Sequence, residues 1–185
     1  MGKIHYNAPV VLTYTFLSFA VLVLGYATDG QSTWLLFAAF AGPLDDPLFY
    51  IRLFGYALGH AGAEHFVGNF MLILLIGPLM EEKYGSANIL KMILLTTLIT
   101  SLLHVIFFTS ALIGASGIVF MFIVLSSFVN LQRGRIPLTF LMVTAFFIGR
   151  EVLDSMAQDD NIARITHIAG GLCGAAAGFI MARER

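Results

Sequence analysis

A serine among glycines, Gly114-Ala115-Ser116-Gly117, opens one apolar run, and a histidine in Thr166-His167-Ile168-Ala169-Gly170 opens another. A serine hydroxyl is a poor nucleophile at neutral pH and needs a base within hydrogen-bond reach. His167 is the candidate base, since it heads another such run without a better role. Upstream, His65 and Asn69 stand four residues apart, on one face of a helix. Their imidazole and amide N–H groups suit an oxyanion hole. If Ser116 starts a helix, the unpaired backbone N–H groups around Ala115 and Ser116 add donors, aided by the positive end of the helix dipole. Gly114 and Gly117 fit a tight turn and a close backbone approach. The three runs hold no Asp or Glu except at their ends, so the chemistry expected is acyl transfer by a Ser116–His167 dyad without a carboxylate orienter.

Those residues need elements to position them, and composition says which kind. Of 185 residues, 58% are hydrophobic and 11% charged, with a mean hydropathy of +0.88. Soluble domains average about 45–50% apolar and about 25% charged residues, so the sequence predicts an integral membrane protein of one all-α domain, residues 1–185. A net charge of −1 gives no footprint for nucleic acid. The single Cys173 excludes an intrachain disulfide and a cysteine-rich metal cluster. His60, Glu64, His65 and His104 lack HExxH spacing and a third ligand, so no metal is expected, and no cofactor is implied.

Apolar runs of bilayer length fall at about 8–27, 66–80, 88–109, 115–130, 136–153 and 165–182, six spans in all. The first, preceded by Lys3 and lacking a small-x-small cleavage site, reads as a retained span rather than a signal peptide. Breaks are expected at Glu81–Ser86, Ser110–Gly114, Gln132–Arg135 and Gln158–Asn161. The connection 28–64, rich in aromatics such as Trp34, Phe49 and Tyr56, reads as short interfacial amphipathic pieces.

Charge sets the orientation. With both termini cytoplasmic, the inner segments hold Lys3, Lys83, Lys91, Arg133, Arg135, Arg183 and Arg185, and the outer ones keep Arg52, Arg150 and Arg164, as the positive-inside rule asks. Spans two, four and six then run the same way. His65 and Asn69, Ser116, and His167 therefore meet at one depth, near the outer leaflet.

These residues resemble the rhomboid family of intramembrane serine proteases. Gly114–Gly117 matches its GxSG motif, His167 with Gly170 and Gly174 its HxxGxxxG, and His60, His65 and Asn69 its histidine-rich segment ending in HxxxN. Glu81 and Gly85 resemble its ExxxG turn. Phe120 falls where the family places an aromatic against the catalytic imidazole, and Arg52 resembles the arginine of its Trp-Arg motif, with Ile51 in place of Trp. Thr166 stands where Ala is commoner. The resemblance implies a six-helix core over residues 8–182 that cleaves transmembrane segments of single-pass proteins near their outer ends. It also implies lateral substrate entry with span five as gate.

Blander roles stand beside these. Gly170, Gly174 and Gly178 form GxxxG spacing, a packing signal. His60 reads as structural at the loop–helix junction, His104 as a hydrogen-bonding core residue, and Ser126 and Ser127 as bonding back to their helix. Glu151 and Asp154, near Arg150, read as the wet end of span five, with a gating role as the alternative. Two other functions compete: a non-catalytic relative that binds transmembrane segments, and a small transporter. The complete dyad with its oxyanion side chains argues against the first, and the lack of paired mid-membrane charges against the second. Short loops and a small core favour a prokaryotic plasma (inner) membrane, with the site on the extracytoplasmic side. Nothing in the sequence fixes an oligomeric state.

Overall fold

A computed structural model of the chain describes residues 4–131 and 161–183, with single helical positions at 138, 142, 145 and 146. Expected span five, with Glu151 and Asp154, lies outside the described residues apart from those four positions. The described elements are α1 (Pro9–Ala27), α2 (Gln31–Leu36), α3 (Pro47–Gly55), α4 (Ala63–Tyr84), α5 (Ser86–Phe107), α6 (Ser116–Leu131) and α7 (Asn161–Arg183). Among the described residues the fold is all-helical, apart from one isolated antiparallel bridge between Ala39 and Leu112. Helices α1, α4 and α5 are long and apolar enough to cross a membrane, and α6 is apolar but shorter.

Packing follows from which faces are greasy. On α6 every residue from Gly117 to Ile123 is buried, and so is Leu125. A helix apolar all round belongs in the middle, and α6 packs against α4, α5 and α7. The outer helices bury one side only. On α1, Val11, Tyr14, Ser18 and Leu22 face inward, whereas Phe16, Phe19 and Val23 are exposed, as expected of surface that meets lipid tails.

Relative directions are fixed by end-to-end contacts. The buried Glu81 carboxylate accepts from the Val10 and Val11 N–H groups, each at 2.9 Å, and from the Ser86 hydroxyl at 2.7 Å. It therefore caps the first turn of α1, which has Pro9 in that turn and no side-chain cap of its own. The same contact makes α1 and α4 antiparallel. It also corrects the expected break at Glu81–Ser86: Glu81, Glu82 and Lys83 continue α4, because Glu81 is needed inside. Only Gly85, at φ +83°, separates α4 from α5.

Two further boundaries differ from the sequence expectation. Helix α4 begins at Ala63, so His65 lies within its first turn. Helix α7 begins at Asn161, which puts Arg164 on the helix rather than in a loop.

The connection 28–64 is a packed structure. Asp46 caps α3 through the Leu48 N–H (2.9 Å) and pairs with the buried Arg52 (2.7 Å), whose guanidinium lies 4.4 Å over the Phe40 ring. The Leu48 N–H, then Arg52, hold the Asp46 carboxyl below its usual range. Phe49 and Tyr56 turn inward, while Trp34, Tyr50 and Phe54 face out.

Candidate active site

Ser116 opens α6. The first backbone bonds of that helix run from the Ile118 and Val119 N–H groups to the Ala115 carbonyl (2.9 and 3.0 Å). Among the described residues, no backbone carbonyl takes the Ala115, Ser116 or Gly117 N–H, which leaves orphan donors at the helix head. Gly114, just before it, sits at φ +113° and donates its N–H to the Tyr56 carbonyl (3.0 Å). A Cβ at Gly114 would lie 2.6 Å from His65 Cε1, 2.7 Å from His65 Nε2 and 3.6 Å from Asn69 Nδ2. Both side chains thus close on its bare Cα, and conformation and space alike require glycine there.

His65 is half-buried and Asn69 buried. The Ala61 N–H donates to His65 Nδ1 at 3.5 Å, which in a neutral ring leaves the proton on Nε2, the nitrogen nearer Gly114. Asn69 Nδ2 has no hydrogen-bond partner among the described residues. A buried amide nitrogen without a partner is a donor held in reserve, at some cost in stability.

His167 comes to this end through the crossing of α6 and α7. A Cβ at Gly170 would fall on the Gly117 carbonyl, and one at Gly174 on that of Met121. Each pair is four residues apart, so the two helices run parallel with their backbones in contact. One turn back from Gly170, His167 is buried, and its ring stacks on Phe120 at 4.4 Å and 13°. Phe120 is four residues from Ser116, on the same face of α6, so the imidazole lies along the face that carries the hydroxyl. Helices α4, α6 and α7 thus bring His65, Asn69, Ser116 and His167 to the same end of the bundle.

Other residues singled out in the sequence lie as follows. The buried His60 bonds the Leu58 carbonyl through Nδ1 (3.2 Å) and meets the His65 ring at 5.0 Å, edge to face. Burial, then its neighbour His65, lowers its pKa to about 4. His104 bonds the Ser110 carbonyl (2.8 Å), and Ser126 bonds back to Ile123 (2.7 Å), whereas the Ser127 side chain lies outside the described residues. Among the described residues, no group of histidines, cysteines and acids is placed to hold a metal.

Sequence reasoning passed over the clamp on the Gly114 loop. Ala39 and Leu112 exchange backbone bonds (2.9 and 2.7 Å), and Tyr56 also donates its hydroxyl to the Thr97 carbonyl (3.2 Å). The aromatic content of 28–64 was the one available signal, and it named no partner. Thr100 and Thr166 were also missed as the side chains that border Gly117.

Fold and site together define a helical integral membrane protein with a serine at the head of α6 and, because α7 starts at Asn161 rather than at Thr166, a histidine nearly two turns inside the neighbouring helix. The Rhomboid domain family model matches residues 48–184, from α3 through α7, and the chain belongs to the rhomboid family. That family consists mainly of intramembrane serine proteases and includes inactive members. No curated protein matches the chain.

Proposed function

We propose that the protein is an intramembrane serine endopeptidase that cleaves transmembrane segments of single-pass proteins near the outer leaflet. The observation that carries this reading is the imidazole of His167 stacked on Phe120, along the Ser116 face of α6, where Gly117 and Gly170 let the backbones touch. Ser116 Oγ attacks the scissile carbonyl while His167 takes its proton. The tetrahedral oxyanion accepts from the orphan N–H groups of Ala115 and Ser116 and from His65 Nε2 and Asn69 Nδ2. Collapse gives an acyl-enzyme, and the protonated His167 returns its proton to the leaving amine. Water, deprotonated by His167, then releases the second product.

The charge bias of the segments supports a site on the extracytoplasmic side of a plasma membrane. The test is cleavage of a single-pass substrate by purified protein in detergent. Ser116→Ala and His167→Ala are expected to abolish it while each variant still inserts and folds. Cleavage by Ser116→Ala at the wild-type rate would overturn the mechanism. Labelling of Ser116 by a serine-directed inhibitor, absent in His167→Ala, separates loss of the base from loss of substrate binding.

A further inference from the structure

A groove of about 490 Å³ runs between α5 and α7. It exists because α7 presents Ala169, Cys173 and Ala176 there, side chains too short to fill the space against α5. Its walls are apolar, with Leu95, Ile99, Leu172 and Ile180 exposed along it. One end differs. Lys91, exposed, lines the groove near the start of α5, at the end of the bundle where α7 finishes with Arg183. The described acids at that end are Glu81 and Glu82, and Glu81 is engaged with the α1 backbone and Ser86. The Arg52–Asp46 ion pair lies elsewhere.

We propose that this groove seats an acyl chain of an anionic phospholipid of the cytoplasmic leaflet, with the lipid phosphate on Lys91. Length fits: the twelve helical rises from Lys91 to Leu103 span about 18 Å, close to one leaflet of a hydrocarbon core roughly 30 Å thick. Charge fits as well. An ammonium on a flexible stem a turn and a half inside a helix reaches back to the headgroup layer, where the cytoplasmic leaflet carries its negative lipids. The cytoplasmic placement of Lys91 comes from the positive-inside bias, so the proposal does not depend on proteolytic activity. The far end of the groove is Ala169, two residues beyond His167, so the lipid bears on the helix that carries the imidazole.

The test is native mass spectrometry of the purified, delipidated full chain, titrated with phosphatidylglycerol or phosphatidylcholine of identical chains. Phosphatidylglycerol is expected to bind more tightly. Lys91→Gln weakens it about fivefold, the worth of one lysine at an anionic surface, whereas Lys91→Arg retains it and Lys83→Gln leaves it unchanged. Ala176→Phe, which fills the groove from an exposed position, removes binding of both lipids. Equal affinity for the two lipids would overturn the proposal. So would a loss in Lys83→Gln as large as in Lys91→Gln, or lipid retention in Ala176→Phe.

Discussion

At the scale of single residues, Phe120 tests how the imidazole is held. Its ring is nearly parallel to that of His167 at 4.4 Å, and aromatic pairs contribute about 0.5–1.5 kcal/mol beyond burial. Phe120→Leu keeps an apolar side chain in the core and removes the stack. Its turnover of a transmembrane substrate is expected to fall roughly two- to tenfold, with Phe120→Tyr near wild type. Equal turnover in all three proteins would mean that the stack does not orient the base. His60 carries a different expectation, in stability. Burial holds its pKa at about 4, against about 6.5 in an unfolded chain. Below pH 6.5 the unfolded chain takes a proton that the folded chain refuses, so stability falls as pH drops from 6.5 to 4 and then levels off. Unfolding followed across that range should show a shallower slope in His60→Gln than in wild type.

At the scale of elements, the crossing of α6 and α7 is decided at glycines. A methyl at Gly170 meets the Gly117 carbonyl, whereas one at Gly171 makes an ordinary 3.5 Å contact with Val124. Gly170→Ala must push the helices apart, and overpacking of this kind costs about 1–3 kcal/mol. It also shifts His167 away from Ser116. Gly170→Ala is therefore expected to lower the unfolding temperature and to reduce cleavage more than tenfold, since an ångström of misplacement can cost about a hundredfold. Gly171→Ala should leave both near wild type. If the two variants behave alike, backbone contact at Gly170 is not what sets the site.

At the scale of the whole molecule, Glu81 ties three helices together far from the chemistry. Its carboxylate holds the first turn of α1 and the hydroxyl at the start of α5. Glu81→Ala strands the buried Val11 N–H and the part-buried Val10 N–H, at about 1–3 kcal/mol for a fully buried group left unsatisfied. The expected outcome is a marked drop in unfolding temperature, with cleavage at low temperature close to wild type. Loss of cleavage in a variant that unfolds at the wild-type temperature would instead link this end of the bundle to the site. The anionic lipid proposed between α5 and α7 acts at this same scale, through the placement of α7.

Much of this was legible in the sequence, because a bilayer imposes its own rules. Backbone polar groups without water must be satisfied within a helix, so apolar runs reported the helices, and Gly-x-x-x-Gly spacing reported the close crossing. The i,i+4 spacing put His65 and Asn69 on one face, and parallel helix direction followed from counting spans. Tertiary structure decided what no local pattern encodes. Glu81 reads as a charged break between spans and is instead a buried cap for a helix seventy residues earlier in the chain. Tyr56 and Ala39 read as loop residues and instead clamp the turn at Gly114. These roles depend on which backbone groups lack a local partner and what the fold brings to them across long stretches of chain. Apolar periodicity and charge bias carry no record of that pairing.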